Sequence, residues 1–213
     1  MLSWKDLEIV IPSVLSSEGR ANTLRNLLVQ ISQQCPGVLV RILPQYHRPN
    51  DLAKNAFDVL SEGLRNFSGR PWVILIEDDV ELAPNFGEGV PPVLEEHPEA
   101  GAISFFSQDK HDVLALANKD IRYYDVPDSF AYSQCVAFRK EAIEGWAERM
   151  LDWHAKCDRY ATPDLSISDC LNDMGFKLIV SLPSLVQHIV MKSAFNHVGT
   201  AKRQAPTFTK ENK

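Results

Sequence analysis

The sequence predicts a single α/β domain, built on a mixed sheet of the doubly wound kind with helices on its faces. Short apolar runs with strand character alternate with helical patterns along the first half of the chain, and this alternation is typical of such sheets. One run, WVILI at 72–76, is apolar at every position, as expected for a strand that is buried on both faces. The length of 213 residues and the hydrophobic content of 45% suffice for one core of this class.

The first half of the chain, residues 1–100, is predicted to contain two β-α units and then the buried strand. A strand over 7–14 (LEIVIPSV) leads through SSEGR into the helical pattern NTLRNLLVQISQQ. A second strand over 38–43 precedes a helix over 50–67, for which Asn50 or Asp51 is a natural N-cap. The buried strand then turns abruptly into EDDVE. This junction is the most informative point of the sequence.

The second half, residues 101–191, is less regular and is predicted to be a mixed part of the same domain. AGAISFFS indicates a strand, and SFAYSQCVAFRKEAIEGWAERM indicates a strand that runs into a helix. SISDCLNDMG indicates a further helix that ends at Gly175, and a strand over 177–182 follows before Pro183. Residues 192–213 form a basic C-terminal tail, which we expect to fold late or only with substrate.

Composition excludes several classes of protein. The net charge of -6 argues against a surface that is built as a whole to bind phosphate backbones. The four cysteines show no CxxC spacing, so we predict reduced thiols rather than a zinc site or a disulfide framework. The N-terminal apolar run is too short for a secretory signal, and no later stretch reaches membrane-spanning length. We therefore expect a cytoplasmic protein without a membrane span.

Three adjacent carboxylates, Glu77, Asp78 and Asp79, follow the buried strand. Sheets of this class bind ligands at the carboxyl ends of their strands, where these residues lie. Like charges repel each other unless a cation neutralises them, and oxygen ligands suit Mg²⁺ or Mn²⁺, which can also bind a substrate diphosphate. Side chains alternate along an extended segment, so Glu77 and Asp79 should project together while Asp78 faces away. A solvated acidic loop is the alternative interpretation.

The order of these parts resembles the nucleotide-sugar-binding half of a GT-A glycosyltransferase. The resemblance rests on IVIPSV, a helix with Arg20 and Leu24, LAKNAFDVL, and WVILIEDDVELAPNF. It implies a GT-A-like, Rossmann-related fold and a metal-dependent, hexosyltransferase-like enzyme that uses a nucleoside-diphosphate sugar, first of all a UDP-sugar. EDD stands where the family has a plain DxD motif, so the resemblance leaves open which oxygens contact the metal. The implied donor-binding residues are Pro12, Ser13, Arg20, Lys54, Asn55, Glu77, Asp78 and Asp79.

The segment PDLSISDCLNDMGFKLIVSLPSLVQHI resembles a second part of the same family. By this resemblance Asp164 is the acidic residue at a helix start that serves as catalytic base or acceptor binder, with Asp169 as the weaker alternative. An N-cap role is the structural alternative for Asp164. His188 corresponds to the histidine that often completes the metal shell, beside Glu77 and Asp79. For His188 a hydrogen-bonded core histidine is the alternative, and His197 competes with it for the metal.

Between these parts, the segment DSFAYSQ lies where the family presents its acceptor pocket. The resemblance implies acceptor-binding roles for Ser129, Tyr132 and Gln134. Aromatic side chains fill cores as readily as they form sites, so we predict core positions for most of the aromatics nearby and elsewhere in the chain. These core predictions cover Trp72, Phe105, Phe106, Phe130, Tyr132, Phe138 and Trp146.

The expected reaction is displacement at the anomeric carbon of the donor sugar. If the reaction inverts, Asp164 acts as general base on the acceptor hydroxyl; if it retains, Asp164 orients the substrate. A nucleotidyltransferase is disfavoured because the first loop carries a single glycine, Gly19, and a non-catalytic sugar or nucleotide binding module is a further alternative. The acceptor class stays open. The basic tail could contact DNA phosphates, as in resembling bacteriophage enzymes that glycosylate hydroxymethylpyrimidines, although a solvated tail is the simpler interpretation.

Overall fold

The computed structural model describes residues 1–13, 18–44, 66–119, 121–126, 134–146, 163–189 and 204–210, and leaves the side chains of 118–119 and 163–167 out. The strands are β1 Leu7–Ser13, β2 Leu39–Pro44, β3 Trp72–Ile76, β4 Val80–Leu82, β5 Ala100–Ser104, β6 Tyr123–Asp125, β7 Cys135–Arg139, β8 Lys177–Ser181 and β9 Val186–His188. The helices are α1 Glu18–Gln34, α2 Phe86–Glu96, α3 His111–Lys119, α4 over 140–146 and α5 Pro163–Asp173, after a short 3-10 helix at Trp4–Asp6.

Within the described residues, the main sheet has seven strands in the order β2-β1-β3-β7-β5-β8-β6. The pairs β1–β2, β1–β3 and β5–β8 are parallel, whereas β7 is antiparallel to both β3 and β5, and β6 is antiparallel to β8. The parallel strands therefore all end at one side of the sheet, here called the carboxyl edge. A second, two-stranded sheet pairs β4 with β9. The predicted mixed α/β sheet in a single domain is confirmed.

Helices cover both faces of the main sheet, which is why β1 and β3 are buried along their whole length. Leu24, Leu27 and Ile31 of α1 pack on one face together with apolar residues of α2. On the other face, α4 contributes Ile143 and Trp146, and α5 contributes Cys170 and Leu171. The predicted aromatic core residues Trp72, Phe105, Phe106, Phe138 and Trp146 are all buried, while Phe130 and Tyr132 lie outside the described residues.

Some elements differ from the sequence prediction. Helix α3 was not expected. The strands β4 and β6 were also not expected, because runs of three residues are too short to show a period. The predicted helix over 50–67 falls almost entirely on residues 45–65, which lie outside the described residues. Across the described part of the chain, none of the helices combines the length and the apolar character that crossing a bilayer requires.

Residues 204–210 of the basic tail pack against the domain, and the expectation that 192–213 folds late or only with substrate stays a prediction. The backbone N–H of Ala205 donates to Oε1 of Gln187 at 2.8 Å, and the N–H of Ser184 donates to Oγ1 of Thr207 at 3.0 Å. Ala205 and Thr207 are buried. The polar composition of the tail did not predict this contact. The tail is held by hydrogen bonds to β9 and to the segment before it, whereas a packed segment is usually recognised by an apolar pattern.

The end of α1 lies close to Gly87 of α2, and this close contact predicts that a larger residue at Gly87 destabilises the protein. A Cβ at this position would lie 2.1 Å from the backbone oxygen of Gln34, and a helix backbone cannot move aside as a side chain can. We expect Gly87→Ala to lower the free energy of unfolding by about 1–3 kcal/mol, despite the better helix propensity of alanine. Chemical denaturation followed by circular dichroism measures the change.

Gly89→Ala in the same helix is the matched control. Its added Cβ would meet the end of the Leu185 side chain, with the nearest atom at 3.1 Å, and a leucine methyl can shift by the few tenths of an ångström required. We expect this variant to stay within about 1 kcal/mol of the parent protein. Equal stability of the two variants would contradict the packing argument.

Candidate metal centre

The acidic cluster of Glu77, Asp78 and Asp79 forms the connection between β3 and β4, at the carboxyl edge. Its first residue is fixed by β7, because the N–H of Glu77 donates to the carbonyl oxygen of Gln134 at 3.0 Å. Its last residue is fixed by the segment after β9, because the N–H of Ile189 donates to the carbonyl oxygen of Asp79 at 2.8 Å. The backbone of the cluster is thus held at both ends.

The pairing of β4 with β9 brings His188 to the cluster. In this antiparallel register Val80 lies opposite His188, so the histidine lies next to the residue that precedes β4. Nε2 of His188 is 3.6 Å from Oδ2 of Asp79. Both residues are almost fully buried, with exposed fractions of 3% for His188 and 4% for Asp79.

Asp78 is bound from two elements, β1 and α1. Its carboxylate is 1% exposed. Oδ2 accepts a hydrogen bond from Oγ of Ser13 at 2.6 Å, and Oδ1 accepts one from the Arg20 guanidinium. The β1–β3 register pairs Val10 with Leu75, and its continuation places Ser13 opposite Asp78. The expectation that Asp78 faces away from Asp79 is wrong, because Arg20 binds both carboxylates and residues 78–79 form a turn rather than an extended segment.

The second guanidinium nitrogen of Arg20 donates to Oδ2 of Asp79 at 2.9 Å. Arg20 thus joins two neighbouring carboxylates. Burial acts to raise the pKa of Asp79, but the nearby imidazole of His188 and the positive charge of Arg20 outweigh it, so that this pKa lies below its ordinary value. Asp79 is accordingly a carboxylate, with the charge that a cation ligand needs.

Several buried polar atoms of this region have no hydrogen-bond partner. Among the described residues, seven buried side-chain nitrogen or oxygen atoms are unpaired. Four of these seven atoms belong to Arg20, Asp79, His188 and Gln134, and Gln134 is bound to Glu77 through the backbone. Buried polar groups are normally paired, so unpaired ones that gather in one place call for a ligand as their explanation.

Glu77, Asp79 and His188 have the chemistry and the spacing of a cation site. One ligand atom from each of the three residues lies within 4.8 Å of the other two. Asp79 also offers Oδ1, a buried oxygen without a hydrogen-bond partner. The two carboxylates suit Mn²⁺ or Mg²⁺, and the imidazole favours Mn²⁺ of the two. Three ligands are fewer than an octahedral ion takes, which leaves room for substrate oxygens. The residues present therefore fit a divalent cation.

The structure places the other predicted site residues as follows. Pro12 lies within β1, and Gln134 lies directly before β7, opposite Glu77 if the β3–β7 register is continued. The backbone of Asp164 lies in the first turn of α5, and Asp169 is exposed on the same helix. Five predicted residues lie outside the described residues: Lys54, Asn55, Ser129, Tyr132 and His197.

Sequence reasoning did not find the pairing of Arg20 with Asp78 and Asp79, although it named all three residues. It assigned them to the donor, whereas their side chains bind one another. The alternation rule carried a partial signal, because it placed Asp78 on the α1 side of the sheet, but it predicted the opposite side for Asp79, which Arg20 of α1 binds as well. Nothing local identifies Arg20 as the residue that meets it there.

Comparison with solved structures shows a GT-A-like glycosyltransferase fold. A glycosyltransferase involved in the glycosylation of the major capsid of PBCV-1 superposes with a TM-score of 0.56 at 13% identity, over 92% of this chain and 96% of that one. The catalytic domain of Drosophila β1,4-galactosyltransferase 7, in complex with xylobiose, gives 0.51 at 14% identity, over 95% and 81%. No family model and no curated protein matches the sequence. At these identities the likeness concerns the fold.

The buried contact between Arg20 and Asp78 generates a stability prediction. Asp78→Asn keeps the shape of the side chain and removes the charge that faces the guanidinium, and breaking a buried ion pair costs about 3–5 kcal/mol. We expect a loss of this order in urea unfolding, whereas Asp169→Asn, the same change at an exposed position, should stay within about 0.5 kcal/mol. Equal effects at the two positions would show that the Asp78 contact contributes no stability of its own.

Proposed function

We propose that the protein is a metal-dependent glycosyltransferase that moves a sugar from a nucleoside-diphosphate sugar, first of all a UDP-sugar, to an acceptor hydroxyl. A fold alone does not define an activity. The observation that carries the proposal is the grouping of Glu77, Asp79 and His188 at the carboxyl edge of a GT-A-like sheet. This edge is where α/β sheets of this kind bind their ligands.

Glu77, Asp79 and His188 are the proposed holders of Mn²⁺ or Mg²⁺. When bound, such an ion stabilises the negative charge that gathers on the departing nucleoside diphosphate. Asp79 contributes a buried carboxylate with one unpaired oxygen, and Glu77 is half-buried at the border of the site. Asp79 and His188 would therefore hold such an ion from the buried side, and Glu77 from the side nearer to solvent and substrate.

The donor is proposed to lie across the carboxyl ends of β1 and β3. Ser13 ends β1, and its hydroxyl binds Asp78, so Ser13, Arg20 and Asp78 shape this end of the site as one hydrogen-bonded unit. Pro12 precedes them in the same strand. The donor roles of Lys54 and Asn55 rest on the sequence resemblance.

The acceptor is proposed to lie on the face of the sheet that α5 covers. Leu75 and Val136 pack with Leu171 of α5 on that face, and alternation along β3 and β7 directs Glu77 and Gln134 to the same side. Helix α5 leads through a turn into the start of β8 and packs on that strand. Its first turn, with Asp164, therefore lies toward the carboxyl edge.

In an inverting reaction Asp164 would take the proton from the acceptor hydroxyl as its oxygen bonds to the anomeric carbon and the bond to the diphosphate breaks. Gln134, whose buried Oε1 has no hydrogen-bond partner, would accept a hydrogen bond from a substrate hydroxyl, with Ser129 and Tyr132 as further acceptor residues. The neighbour solved with xylobiose makes a saccharide the first acceptor class to test. A DNA acceptor is the alternative that the basic tail raises; Lys210, the basic residue in the described part of the tail, is exposed and pairs with Glu81 at 2.8 Å.

The metal role predicts a conditional stabilisation of the protein. UDP should raise the melting temperature clearly more with Mn²⁺ than without it, because a ligand that binds only the folded state stabilises it, by about 2.7 kcal/mol at a hundred times its dissociation constant. Asp79→Asn should abolish the Mn²⁺-dependent part of the shift, whereas Asp125→Asn, at an exposed carboxylate of β6, should keep it. A Mn²⁺-independent shift, or an undiminished one in Asp79→Asn, would remove this role.

If Asp164 is the general base, its substitution should slow the chemical step without weakening the binding of UDP and Mn²⁺. Asp164→Asn should lower kcat by about 10²–10⁴-fold, the usual contribution of a general base, and should leave the shift with UDP and Mn²⁺ intact. Release of nucleoside diphosphate in the presence of saccharide acceptors measures the rate. Asp169→Asn is the matched control on the same helix, and a larger loss in that variant would transfer the role to Asp169.

A further inference from the structure

Arg20 lies buried between two carboxylates, with an exposed fraction of 9%. Each terminal nitrogen of its guanidinium binds a different residue, one to Asp78 and the other to Asp79. A guanidinium is a rigid planar fork, so it holds two partners at a fixed spacing, which a flexible ammonium does not do. The geometry therefore constrains the relative positions of the two aspartates.

The contact with Arg20 decides which oxygen of Asp79 stays open. Oδ2 accepts the hydrogen bond from Arg20 and lies 3.6 Å from Nε2 of His188. Oδ1 is buried and has no hydrogen-bond partner. Rotation of this carboxylate would break the bond to Arg20, so Arg20 fixes the orientation in which Oδ1 is presented.

Arg20 is itself anchored to the sheet through Asp78. Asp78 also binds the hydroxyl of Ser13, and both residues are fully or almost fully buried. Ser13 belongs to β1, whose parallel register with β3 sets its position relative to the acidic cluster. The guanidinium cannot move together with Asp79 without breaking its bond to Asp78. The orientation of Asp79 therefore depends on the relative positions of β1 and β3.

We propose that Arg20 is a positioning residue of the metal centre, which holds Asp79 so that Oδ1 faces the cation, and that it acts through Asp79 rather than by contact with the donor. This inference rests on the proposed metal-binding function. The charge of Arg20 repels a cation, so its removal has two opposing effects on affinity, and the proposal is that loss of position outweighs loss of repulsion. Loss of an outer-shell partner usually weakens metal binding about 10–100-fold.

The test measures Mn²⁺ affinity directly, by the electron paramagnetic resonance signal of free Mn²⁺ titrated with the full chain and no donor. Arg20→Lys keeps the charge but replaces the planar fork by a point charge, and it should weaken Mn²⁺ binding about 10–100-fold. Arg20→Met removes both charge and fork and should also weaken binding. Arg25→Lys is the control, because Arg25 is exposed on the same helix and binds Asn22, and its affinity should equal that of the parent protein.

The outcomes separate this inference from the proposed function. If the parent protein does not bind Mn²⁺, both the proposed metal-binding function and the positioning role of Arg20 are wrong. If the parent protein binds Mn²⁺ and both Arg20 variants bind as tightly or more tightly, the positioning role alone is overturned. Circular dichroism confirms folding at the titration temperature, and a failure of Arg20→Lys to fold would overturn the inference in favour of a purely structural ion pair.

Discussion

The structure of the carboxyl edge depends on the compensation of charge where β3 ends. Glu77, Asp78 and Asp79 are adjacent, and the last two are almost fully buried. Burial of a carboxylate costs several kcal/mol unless a cation and hydrogen bonds replace the lost water. Arg20 supplies the cation for Asp78 and Asp79, and Ser13 supplies a further hydrogen bond to Asp78. The first turns of α1 and the ends of β1 and β3 must therefore fold together.

The strand registers bring together the side chains that surround the buried carboxylates. The parallel pairing of β1 with β3 places Ser13 beside Asp78, and the antiparallel pairing of β4 with β9 places His188 beside Asp79. Residues 204–210 support β9 from its other side, since Gln204 donates to the carbonyl oxygen of His188 at 2.9 Å. His188 is thus held by β4 on one side and by residues 204–210 on the other. Its position therefore depends on contacts with residues that are far from it in sequence.

The sequence predicted those features that have a local cause. The run WVILI and the acidic residues after it are neighbours in the chain, and they were enough to place a buried strand and the cluster at its end. Contacts across the sheet have no local signal, and for this reason the bond from Arg20 to Asp78, which spans 58 positions, was missed. His188 was named through resemblance, and its contact with Asp79 depends on three-residue strands that are too short to predict.

Two kinds of cation can compensate the negative charge at the carboxyl edge, a guanidinium and a divalent metal ion. Neither can replace the other. A metal ion that binds together with the leaving diphosphate is exchangeable, so it cannot be the cation on which a buried Asp78 relies for folding. A guanidinium fixed in α1 is permanent, and its two terminal nitrogens are bound to Asp78 and Asp79. Arg20 brings one formal positive charge to three carboxylates, and a divalent cation would bring two. Under the proposed metal-binding function, the roles divide: Arg20 and Asp78 stabilise the end of β3, Arg20 also orients Asp79, and Glu77 and Oδ1 of Asp79 would bind an exchangeable ion.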